Sequence, residues 1–120
     1  MLLLDYAYSD DPIAPLNIKH GLDAMLTPDG EAFEFHYNYL VYTFRHNGEE
    51  LLAKHYMDQT GEVSISQSIN LPVSGFVLNV LVFLGLRYIS IKMLTDTGYV
   101  PLPDDIQKQV SERVHLHFLK

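Results

Sequence analysis

Six of the chain's fourteen aromatic side chains crowd into residues 33–44: Phe33, Phe35, Tyr37, Tyr39, Tyr42 and Phe44. The first four recur at every second position, the period of a β-strand and not of a helix. The run leads into Asn47-Gly48, a dipeptide that closes two-residue hairpins because both residues tolerate left-handed backbone. A chain built around this segment has to place it in a sheet. Aromatics on a sheet either build a core or line a binding surface.

The flanking segments define an antiparallel meander over 32–46, 50–58 and 62–69, with Thr60-Gly61 as its second turn. Val63, Ile65 and Ile69 alternate with Ser64, Ser66 and Ser68, the pattern of a strand with one polar face. Residues 2–8 read as a further strand. The spacing of Ile18, Leu22, Met25 and Leu26 predicts a helix over 16–26 despite Gly21, ended by the turn residues Thr27-Pro28-Asp29-Gly30. Residues 74–86 read as a buried helix capped by Ser74, with Gly85 at its far end; the valines in it keep a strand open as the competing reading. Residues 87–95 alternate as a strand. Pro103-Asp104 opens a last helix whose buried stripe is Ile106, Val110 and Val114, with Asp104 and Gln107 spaced as a capping box. The alternation in 114–118 points to an early end for that helix. The expected fold is α+β in a single domain, 1–120: an antiparallel sheet of four or five strands centred on 32–69, with two or three helices packed mainly on one face. A chain of 120 residues folded this way has an expected radius of gyration of roughly 14 Å. The apolar ends, Leu2-Leu3-Leu4 and Phe118-Leu119, are expected to be packed.

Two-residue turns at 47–48 and 60–61 would fix the register of the meander. One face then collects Phe33, Phe35, Tyr37, Tyr39, Val41, Leu52, Tyr56, Val63, Ile65 and Ile69, and reads as the core face. The other collects Asn38, Leu40, Tyr42, Phe44, Leu51, His55, Met57 and Ser66, together with His36, Ala53, Ser64 and Ser68. It is too apolar for a wet surface and too polar for a core, as interaction or ligand surfaces are. A one-residue slip would exchange the two faces. Three readings of this mixed face stand: two copies pack through it as a homodimer, it curls around a pocket with His55, Tyr42 and Asn38 as convergent polar groups, or another segment of the chain covers it.

Composition narrows the chemistry. There is no cysteine, which excludes disulfides, thiolate catalysis and Cys-based zinc sites and suits a reducing, cytoplasmic location. The opening residues lack the basic region of a signal peptide, and no apolar run is long enough to span a bilayer. The net charge is −7, from 15 acids against 8 bases. Those cations are scattered singly, whereas phosphate binding needs them clustered, so nucleic acid is not an expected partner. Asp10-Asp11, Glu49-Glu50 and Asp104-Asp105 leave room for a basic protein partner. Six histidines invite a metal reading, but on a helix His115 and His117 point about 200° apart. No metal site or cofactor is expected. Scattered glycines rule out a phosphate-cradling loop, and no nucleophile elbow is present. The reading is a small interaction protein, non-catalytic and homodimeric through the mixed sheet face. The alternative is a pocket protein for an apolar or aromatic ligand, with His55-assisted acid–base chemistry.

Overall fold

The hairpin at the centre of the sheet forms as its sequence dictates. Asn47 and Gly48 both have positive φ, 55° and 83°, the signature of a type I′ turn whose twist matches the strands it joins. The computed structural model describes residues 13–26 and 33–119. Within them are six strands, β1 (Asn17–Leu26), β2 (Phe33–His46), β3 (Glu49–Tyr56), β4 (Glu62–Ile65), β5 (Ser90–Thr95) and β6 (Gly98–Pro101), and two helices, α1 (Gly75–Arg87) and α2 (Asp104–Phe118). The strands lie in chain order across one sheet. All neighbours are antiparallel except β4 and β5, which are parallel. Parallel neighbours need a crossover, and α1 supplies it. The α+β class with a mostly antiparallel sheet matches expectation; the sheet has six strands instead of four or five. The expected strand over 2–8 and the turn over 27–30 lie outside the described residues.

Register decides which face is buried. β2 pairs with β3 as Tyr39↔Tyr56 through His46↔Glu49, as the two-residue turn requires. β3 and β4 pair as Ala53↔Ile65 and Lys54↔Ser64, three positions away from the expected alignment. The connection is not a two-residue turn but the five-residue loop 57–61, with Gly61 at φ 81°. An odd shift reverses parity. Val63 and Ile65 therefore share a face with Leu51 and Ala53, and the serine Ser64 shares the other with Lys54.

The helices cover the face that the sequence marked as mixed. Tyr42, Phe44, Leu51, Ala53, Val63 and Ile65 are all buried there, with Phe44 and Ile65 fully so. α1 lies across them: Phe83 meets Phe44 edge-to-face with ring centroids 5.6 Å apart. Eight of the thirteen residues of α1 are buried, because it is sandwiched between the sheet and α2, whose Ile106 and Val110 join the same core. Each such side chain contributes about 1.5–3 kcal/mol by leaving water.

Helix ends follow local chemistry, with exceptions. Ser74 caps α1 by accepting the Val77 N–H at 3.2 Å. Gly85 does not end α1. It lies inside the helix where α2 comes closest, and a Cβ there would sit 3.0 Å from Val114. The capping box of α2 does not form; the Gln107 amide donates to the Leu102 carbonyl at 2.7 Å instead. α2 continues to Phe118, and Phe118 and Leu119 are 70% and 68% exposed, not packed.

The segment expected to be a helix over 16–26 is strand β1, in register with β2 from Asn17↔Thr43 to Leu26↔Phe33. Its apolar spacing also fits a period of two, since Ile18 and Leu22 fall on one face either way. Gly21 explains the choice. The ring of Tyr39 lies over it, so a Cβ at Gly21 would come within 2.3 Å of that ring. A glycine that is a cost in a helix is a seat for an aromatic ring in a strand.

Candidate functional site

Three of the expected surface residues are core. Tyr42, Phe44 and Leu51 are 7%, 0% and 1% exposed beneath the helices, so they present nothing to a partner. Ser66 is exposed but follows β4 with the parity of Leu52, its N–H donating to the Leu52 carbonyl at 2.9 Å, and so falls with the opposite face. The remaining four, Asn38, Leu40, His55 and Met57, do come together.

They meet because β2 outruns its neighbour. β2 has fourteen residues and spans roughly 48 Å, but β3 pairs with it only from Tyr39 onward; the Met57 N–H adds one more bond, to the Asn38 carbonyl at 2.9 Å. Beyond that point β1 and β2 continue as a two-stranded arm. At its root, on the helix-covered face of the sheet, the register brings Ile18 opposite Tyr42, His20 opposite Leu40 and Leu22 opposite Asn38. Ile18, Leu22 and Met57 are 54%, 53% and 50% exposed, and Leu40 packs from this patch onto the core edge. The apolar surface of the core thus runs out from under the helices into water. Ile18 and Leu22 were absent from the sequence-derived set because a helix over 16–26 would have put them elsewhere.

The polar rim of the patch is satisfied internally. His20 Nε2 donates to Asn38 Oδ1 at 3.0 Å. His55 Nδ1 donates to the Glu62 carbonyl at 2.9 Å. The His55 ring lies on Tyr88, centroids 4.7 Å apart. The Tyr88 and Tyr42 hydroxyls share a hydrogen bond of 2.6 Å. Burial, and secondarily that bond, push the Tyr88 phenol well above its usual range, and the bond links the sheet to the C-terminal end of α1. Of the three polar groups expected to converge on a pocket, His55 and Tyr42 gather around Tyr88, whereas Asn38 is engaged by His20.

The other face of the sheet carries a different cluster. Lys54 Nζ stands 4.1 Å from the Tyr39 ring centroid and 4.8 Å from that of Tyr56, and pairs with Asp23 at 3.2 Å. The Tyr56 hydroxyl donates to the same Asp23 oxygen at 2.7 Å. These bonds, Tyr56 first and Lys54 second, hold the Asp23 carboxyl below its usual range. Partial burial acts to lower the Lys54 ammonium, but its bonds with Tyr56 and Asp23 outweigh this and raise it. The cluster ties β1 to β3 across β2. The aromatics expected to form the core, Tyr37, Tyr39 and Tyr56, here make a half-buried outer layer.

Among the described residues no group of His, Asp and Glu is placed to hold a metal ion, and His115 and His117 both lie on α2, divergent as helical geometry requires. No helix among them is long and apolar enough to cross a membrane. Comparison with protein-family models, with curated proteins and with solved structures found no match.

Proposed function

We propose that this chain is a non-catalytic interaction protein that acts as a homodimer, with the root of the β1–β2 arm as the contact surface. The observation that carries this reading is the exposure of Ile18, Leu22 and Met57 on the one sheet face that is otherwise roofed by helices. A two-stranded ribbon is marginal in water and needs a third layer, and among the described residues no helix or strand provides one there. A second copy suits the patch. Its named side chains carry no formal charge, on a molecule of net charge −7, so two copies can approach here without bringing like charges together. A basic partner would call for acids at this position. Two-fold symmetry would let each Leu22 face its partner's equivalent patch, as isologous interfaces do.

Hydrogen exchange at two protein concentrations tests the surface. Amides of β1 and of the 57–61 loop should gain protection in the concentrated sample, while those of β5 and β6 do not change. In Leu22→Asp the gain should vanish without loss of the helical circular dichroism. Equal protection at both concentrations in the wild type would remove the basis for the proposal.

A further inference from the structure

A second surface feature stands apart from the arm and is unlike it in chemistry. A groove of about 400 Å³ runs between α2, the last turns of α1 and the start of β5, a volume in the range of small-molecule sites. Its position follows from two local facts. Gly85 lets α2 close onto α1, since a side chain there would press on Val110 and Val114, and β6 stops at Pro101 opposite Lys92, so that among the described residues no strand pairs with Ser90 and Ile91 on that edge.

The lining has a pattern. α2 presents two parallel stripes to the groove: Val110, Val114 and Phe118 are apolar, and Gln107, Ser111 and His115 are polar. Within each stripe the residues lie four apart, roughly 6 Å along the helix axis. The Gln107 NH₂ is committed to the Leu102 carbonyl, so its oxygen is left as an acceptor beside the Ser111 hydroxyl. α2 also carries Asp104, Asp105, Lys108, Glu112 and Arg113, yet none of these lines the groove, and neither does any other acid, lysine or arginine. At the mouth, Ile89 and Phe118 are 96% and 70% exposed.

We infer that this groove is a binding site for an uncharged amphipathic small molecule, a linear or flat compound with one apolar edge and a hydroxyl or carbonyl head. The apolar edge lies along Val110, Val114 and Phe118, and the head bonds to Ser111 or Gln107. A charged head is disfavoured because it would leave water for a site that no acid, lysine or arginine lines. His115 is the lining group able to carry charge near neutral pH, so the comparison with octanoate is made above about pH 8.

The test is a two-dimensional ¹H–¹⁵N spectrum of the full chain titrated separately with 1-octanol, octanoate and octylammonium. Octanol should shift the amides of 88–91 and 107–118 saturably, with both charged analogues weaker by about tenfold or more. Ser111→Trp fills the groove from an exposed position and should abolish the octanol shifts while the rest of the spectrum is retained. Val114→Glu places a carboxylate on the apolar wall and should turn the preference toward octylammonium. Non-saturating shifts, equal response to all three compounds, or shifts spread over the sheet and undiminished in Ser111→Trp would overturn the assignment.

Discussion

Phe44 shows how much a single side chain's meaning depends on parity. In sequence it lies among residues that look like a sticky surface, and in the fold it has no exposed surface at all. Phe44→Ala should therefore cost about 3–5 kcal/mol in urea unfolding, and Phe44→Asp should abolish folding, not merely separate two copies. Asp23 is the opposite case, an apparently ordinary acid that holds Tyr56 and Lys54 in place. Its carboxyl is lowered in the fold, so its contribution is present above the unfolded value of about 3.9 and is lost as pH falls through the folded value. The melting temperature of Asp23→Asn should lie below that of wild type at pH 7, and the gap should close as the pH drops below about 4. A constant gap down to pH 2 would mean that the charge of Asp23 is not what matters.

At the scale of elements, a signal was legible where it admitted one backbone geometry or one period, and misleading where it fitted two. Asn47-Gly48 permits few conformations, and the hairpin formed in the expected register. The Ser74 cap likewise located the start of α1. Ile18, Leu22 and Leu26 satisfy both a helix and a strand, and only the pairing with β2 and the ring of Tyr39 over Gly21 decide between them. The loop after β3 hid its length, because Thr60-Gly61 resembles a two-residue turn but closes five residues. That one difference moved Val63 and Ile65 onto the face of Leu51 and Ala53, and Ser66 onto the other. The helices cover the face so formed, burying Tyr42, Phe44 and Leu51, while Asn38, Leu40, His55 and Met57 lie on the same face at the root of the arm. The parallel pairing of β4 with β5 had no local signal, since it depends on where α1 returns the chain. Gly48 offers the element-scale test. It has φ 83° with open space around it, so Gly48→Ala should cost about 1–2 kcal/mol through backbone strain alone, measured by urea unfolding at neutral pH.

For the whole molecule the notable quantity is elongation. The radius of gyration is 16.2 Å, with extents of 55 × 30 × 27 Å, against roughly 14 Å for a compact chain of this length. The long axis is comparable to the span of β2, and the arm it forms with β1 is where apolar surface leaves the shelter of the helices. Self-association through that arm would give the ribbon the third layer that no described helix or strand supplies. It would also place the groove beside α2 on a dimer in two copies. The most direct measurement is native mass spectrometry of the purified protein beside its denatured mass. Wild type should appear at twice the 13.7 kDa chain mass, and a folded Leu22→Asp at the single chain mass. A wild-type protein that stays monomeric at high concentration, or a Leu22→Asp that remains dimeric, would contradict it.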